Sequence, residues 1–107
     1  MTEQRRTRRF KLQLPVSITR SGAERVALPG LTKNISSRGV LFTAEIEPGL
    51  GRTIEYVITL NQDGPRAVNL HCIGTVVRAA PADSSLHDMA AFQIAATLKR
   101  YELVRER

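Results

Sequence analysis

Tryptophan is absent from this 107-residue chain, and aromatic residues of all kinds make up only 5% of it. Sequence-tolerant binding of single-stranded nucleic acid relies on such rings as stacking platforms, so their scarcity argues against that class of partner. Cysteine occurs once, at Cys72, which excludes an internal disulfide and points to a reducing compartment. His71 and His87 are the only histidines. His71 and Cys72 are adjacent and so fall on opposite faces of a strand, and the three together do not make a zinc site. No apolar run approaches the roughly 20 residues of a membrane helix, and none follows the N-terminal charges as a secretory signal would. A soluble, cytoplasmic protein with no membrane span is expected. The Asp63-Gly64 and His87-Asp88 pairs read as turn chemistry, since neither has a nucleophile or a second carboxylate beside it. With no catalytic constellation, no enzyme is expected.

What is present is ordinary globular composition, 42% hydrophobic and 24% charged, in a length suited to one domain. The formal net charge is +6, and the excess is concentrated at one end. Within residues 1–11, Arg5, Arg6, Arg8, Arg9 and Lys11 face a single acid, Glu3. Such an end attracts phosphates, whether on a nucleotide, a nucleic acid or a lipid surface.

From Phe10 to Thr19 an apolar residue stands at every even position, the period of a strand with one buried face. Pro15 falls on the outward face of that run and lacks an amide hydrogen, which predicts an edge strand or a bulge there. Ser21-Gly22-Ala23 reads as a turn. Ile54 to Leu60 alternates again and ends in Asn61-Gln62-Asp63-Gly64-Pro65, a strong turn signal. Shorter strand candidates are 25–28, 39–44, 68–79 and 89–95. Short strands with turn chemistry between them imply a small antiparallel barrel or sandwich. From Thr97 onward, Leu98, Tyr101, Leu103 and Val104 recur at roughly helical spacing, which predicts a short amphipathic C-terminal helix that covers one end of the barrel or, alternatively, meets a partner.

Two runs carry the chemistry. The first is Gln4-Arg5-Arg6-Thr7-Arg8-Arg9-Phe10, in which Arg5 and Arg9 form the only Arg-x-x-x-Arg pair. A guanidinium makes forked, charge-assisted hydrogen bonds to phosphate and can also donate to the O6 and N7 edge of guanine or stack on a base. In an extended segment residues i and i+4 share a face about 13 Å apart, so each can serve a different part of a large ligand. The second run is Asn34-Ile35-Ser36-Ser37-Arg38-Gly39, an Asn-x-Ser-x-x-Gly pattern. Asn34 and Ser36 offer donors and acceptors two residues apart, and Gly39 permits either a positive φ or the close approach of another chain or ligand. Arg38 adds a loop cation. Arg78, at the end of a strand candidate, reads as a surface residue, with a position facing a ligand as the alternative.

Together, and in this order, the two runs resemble the PilZ domain, a bacterial receptor module for cyclic di-GMP. The resemblance spans Gln4 to about residue 100; residues 72–78 are similar to the family's fifth strand and 91–94 to its sixth. It implies an all-β fold, a six-stranded antiparallel barrel over residues 10–96, preceded by a flexible basic ligand-binding segment (1–9) and followed by a C-terminal helix or tail (97–107). It implies cyclic di-GMP as the ligand, with Arg5 and Arg9 holding phosphates and guanines, and Asn34, Ser36 and Gly39 on the barrel face that receives a guanine. Arg6, Arg8, Ser37 and Arg38 are secondary candidates. No cofactor or metal is implied. The signal would pass to a separate effector protein when the N-terminal segment becomes ordered. Alternatives are a PilZ-like adaptor that binds protein with little or no ligand, and a small basic barrel that binds nucleic acid. Asn34 stands where the family often has aspartate, Gln4 where an arginine accompanies two stacked ligands, and Ala90-Ala91 where glycines are common.

Overall fold

A computed structural model describes residues 13–61, 68–81 and 92–105. Seven strands follow in order: β1 (Pro15–Ser21), β2 (Glu24–Ile35), β3 (Gly39–Ala44), β4 (Thr53–Asn61), β5 (Val68–Pro81), β6 (Phe92–Thr97) and β7 (Arg100–Arg105). They form one antiparallel sheet in the order β4-β1-β2-β3-β6-β5-β7, and pairing of β4 with β5 closes the first six into a barrel. No described helix is long and apolar enough to cross a membrane.

Alternation builds the interior. Val16 and Ile18 of β1, Val40 and Phe42 of β3, Ile54, Tyr56 and Ile58 of β4, Cys72 and Val76 of β5, and Ile94 and Ala96 of β6 are all buried. Each set keeps to alternate positions, so one face of each of these strands points inward. Phe42 and Tyr56 stack across the core with ring centroids 6.0 Å apart. The Tyr56 hydroxyl donates to the Thr97 carbonyl at 2.9 Å, so this buried phenol keeps a partner. Burial holds its pKa well above the usual tyrosine range, with the neighbouring Cys72 as a second cause.

Strands 39–44, 54–60 and 68–79 are found close to where alternation places them. The first residues expected in β1, Phe10 to Leu12, lie outside the described set. Of the edge strand or bulge expected near Pro15, the edge is not found, since β1 pairs with both β2 and β4, but both pairings shift between Ile18 and Arg20, a bulge four residues on. Pro15 is tolerated because it opens the strand, and pairing with β4 begins only at Val16. β2 is much longer than the expected 25–28 and runs through Pro29, which lies in the half of β2 that β1 alone covers.

The expected C-terminal helix is the main correction: Arg100–Arg105 is a strand, β7, paired with the first half of β5. A segment this short cannot stabilise an isolated helix, whereas the open edge of β5 supplies partners for its backbone groups. β6 and β7 both run antiparallel to β5, and they meet at Leu98-Lys99, where Leu98 packs on the core and the Lys99 N–H donates to the Ile73 carbonyl at 2.9 Å.

Candidate functional site

The second motif forms the hairpin between β2 and β3. Asn34 lies near the end of β2, residues 36–38 make the turn, and Gly39 opens β3. The turn is held locally. The Ser36 N–H donates to the Gly39 carbonyl at 2.9 Å, and the Ser36 Oγ accepts the Arg38 N–H at 3.2 Å while lying 3.4 Å from the same Gly39 carbonyl. Ser36 therefore shapes the hairpin with both its backbone and its hydroxyl. Ser37 and Arg38 are exposed.

Gly39 resolves the choice left open by its residue type. Its φ is not positive, but a Cβ built on it would stand 2.6 Å from the Ala96 carbonyl oxygen. The glycine is there for close approach of β6 and not for a left-handed turn. The Arg38 carbonyl also accepts the Leu98 N–H at 2.9 Å, so the hairpin is tied directly to the junction of β6 and β7. On the other side of that junction Gly74 leaves room for the Thr97 carbonyl, and the Thr75 N–H donates to the Thr97 Oγ1.

Two β-bulges decide which side chains face outward. Thr32 points into the barrel and is fully buried, and two residues on, Asn34 would normally point inward as well. The pairing of β2 with β3 shifts between Thr32 and Asn34, which inserts Lys33 as an extra residue. Ile35 thereby packs on the core and Asn34 turns out, half-buried. β5 repeats the device. Its pairing with β6 shifts between Val76 and Arg78, so Val76 is buried, Ala79 packs on the core and Arg78 faces out.

The two bulges place Asn34 and Arg78 at opposite ends of one row across four strands, Asn34–Leu41–Ala95–Arg78. Beside that row lies a hollow of about 180 Å³ lined by Leu41, Arg78, Ala80 and Gln93. It suits a single planar base seated on small and apolar side chains, with polar groups at the rim to read its edge. In the sequence Arg78 reads more readily as a surface residue than as a ligand contact, because no local signal marks the bulge that brings it to this row.

Arg5, Arg9, Arg6 and Arg8 lie outside the described residues. The chain that carries them is nonetheless fixed at its root. The Leu14 N–H donates to the Thr32 Oγ1 and the Thr32 N–H donates to the Leu14 carbonyl, both at 2.9 Å. Thr32 is two residues from Asn34, so the described chain begins, at Gln13 and Leu14, beside the hairpin. Arg9 is four residues from Gln13, a reach of at most about 14 Å, and Arg5 has about twice that.

A larger hollow, of about 490 Å³, lies on another face, lined by residues that include Thr19, Glu55, His71, Arg100 and Glu102. Arg20 pairs with Glu55 at 3.6 Å there, and the carboxylates of Glu55 and Glu102 offset the one lining cation, Arg100, so this wall offers a phosphorylated ligand no excess of positive charge. Cys72 forms part of its floor; burial pushes that thiol up to about 12, so it is not a reactive nucleophile. Among the described residues no three histidine, cysteine or carboxylate groups gather as a metal site.

The family model for the PilZ domain matches residues 3–101, nearly the whole chain and both runs. The chain belongs to the PilZ domain family. Neither the curated proteins nor the solved structures give a match. PilZ domains are generally binding modules without catalysis, either receptors for cyclic di-GMP or adaptors, and the closed barrel with an added strand accords with that family.

Proposed function

We propose that this PilZ domain is a bacterial, cytoplasmic receptor for cyclic di-GMP. Arg5 and Arg9 grip the phosphates and guanine edges, and one guanine lies on the outer row between Asn34 and Arg78. The observation that supports the proposal is the convergence of two bulges on that row, with the Leu14–Thr32 pair anchoring the start of the described chain beside it. A half-buried amide offers both an acceptor and donors to the guanine edge, and a guanidinium at the far end can stack on the base or pair with phosphate. Ligand binding orders the N-terminal segment against the barrel, and the ordered segment is read by a separate effector protein.

Calorimetric titration with cyclic di-GMP against a GTP control tests this. Heat with the first and none with the second is expected; no heat with cyclic di-GMP, or the same affinity after Arg9→Ala, overturns it. A second reading has one observation in its favour: the Ser36 hydroxyl is already engaged inside the hairpin, which suits an adaptor whose loop is rigid without ligand. An effector captured equally with and without cyclic di-GMP would favour that reading.

A further inference from the structure

Among the described residues β7 is the one strand whose outer edge is unpaired along its whole length, its only partner being β5; the first half of β2, which β1 alone covers, carries Pro29. Its two apolar residues on the barrel-side face, Tyr101 and Leu103, are 65% and 54% exposed. A bare strand edge with apolar side chains is a template for another strand, and proteins normally blunt or cover it.

The hydrogen-bond pattern says which backbone groups are offered. Val76 exchanges bonds with Gly51 and Arg52 on the β4 side, while the Thr75 N–H and the Ile73 carbonyl face Thr97 and Lys99. Odd-numbered residues of this part of β5 thus face β6 and β7. Their partners on β7, Glu102 opposite His71 and Val104 opposite Asn69, turn toward β5. The amide and carbonyl groups of Tyr101, Leu103 and Arg105 are left on the open edge.

We propose that this edge pairs with the same edge of a second copy of the chain, antiparallel about a two-fold axis at Leu103. Two-fold pairing that sets open groups against open groups must centre on a residue and not between two. Centring on Tyr101 or Val104 overlaps only three residues of β7, whereas Glu102 or Leu103 allows five. A centre at Glu102 sets that carboxylate against its own copy, a like-charge pair that disfavours the register. A centre at Leu103 sets Leu103 on Leu103, Tyr101 against Arg105, and Glu102 against Val104, with no like charges opposed. The face is self-complementary, as a two-fold interface must be. It joins the β5–β7 sheets of two barrels by six main-chain hydrogen bonds, and its small size makes it a weak, concentration-dependent dimer.

Sedimentation of the full chain up to about 1 mM tests this. A shift toward twice 11.9 kDa with rising concentration is expected, together with its loss in Leu103→Asp, whose exposed site leaves the barrel's melt unchanged. Under mild oxidation, Leu103→Cys should link to itself while Glu102→Cys and wild type, with its buried Cys72, should not. A monomer at every concentration, a dimer that survives Leu103→Asp, or equal cross-linking of both cysteine variants overturns the proposal.

Discussion

The two outer hollows of this barrel differ in size, in charge and in how their side chains reach the surface. The face by the β2–β3 hairpin carries the smaller hollow, with Arg78 at its rim, and it exists because two bulges turn Asn34 and Arg78 outward. The face by β4, β5 and β7 carries a hollow more than twice as large, walled in part by Glu55 and Glu102. Volume alone would select the second. For the phosphorylated ligand proposed above the first is the better match: its one charged lining residue is Arg78, whereas Glu55 and Glu102 offset Arg100 in the second.

The comparison breaks most readily at the arginine run. Replacing Arg9 by alanine removes a forked, charge-assisted contact, and a loss of about 3 kcal/mol, roughly a hundredfold in affinity for cyclic di-GMP, is expected by calorimetry. Arg5→Ala should act in the same direction. An unchanged affinity in both would detach the hairpin face from the ligand altogether.

Gly39→Val is the next largest effect, and it falls on stability. The added Cβ meets a backbone carbonyl at 2.6 Å, so β6 has to move. A loss of about 1–3 kcal/mol is expected in chemical denaturation, with weaker ligand binding as the hairpin shifts. A melt identical to wild type would mean that β3 and β6 are not packed as closely as described. Arg78→Ala, on an exposed site, should leave the melt alone and weaken ligand binding by about tenfold.

Arg78 also shows where sequence stops being informative. The alternation of β3 and β4 is plain because every inward position holds Val, Ile, Phe, Ala or Tyr, and the Asn34 to Gly39 run announces its own turn. The bulges at Lys33 and Val77 leave no such mark. Each is an extra residue in one strand relative to its partner, a property of the pairing and not of either strand's own sequence. β7 was misread for a related reason. Leu98, Tyr101, Leu103 and Val104 satisfy a helical period and a strand period almost equally over so few residues, and the edge of β5 decides between them. The arginine run reads in the sequence as a segment that attracts phosphate, but the anchoring of the chain just after it depends on the Leu14–Thr32 pair, which joins residues 18 apart.

The larger hollow has its own test in Cys72, which sits in its floor. Burial raises the thiol from 9.0 to about 12, so the folded state holds this proton more tightly than the unfolded chain does. That stability is fully present below pH 9 and drains away as pH rises toward 12. Between pH 9 and 10 the loss attributable to Cys72 is on the order of 1 kcal/mol. Thermal melts of wild type should therefore fall across that unit of pH more than those of Cys72→Ala. Tyr56, with an ordinary value of 10, loses most of its share above pH 10 and is present in both proteins, so the difference between the two slopes reports the thiol. Equal slopes would mean that water reaches the sulfur and that the hollow is open to the core.

The smallest expected effect is the most direct contrast between the faces. Glu102→Gln removes a negative charge from the larger hollow without changing its shape. If cyclic di-GMP sits by the hairpin, a charge on the other face acts on it only through solvent. Beyond a screening length of about 10 Å at 0.1 M salt, little of that action is left. The affinity should change by less than about twofold, and raising the salt should erase even that. If instead the ligand occupied the larger hollow, losing a carboxylate from its wall would strengthen binding by roughly tenfold. A titration of this one variant beside Arg78→Ala therefore assigns the ligand to a face: a large gain with Glu102→Gln and no loss with Arg78→Ala would move the site to β4, β5 and β7.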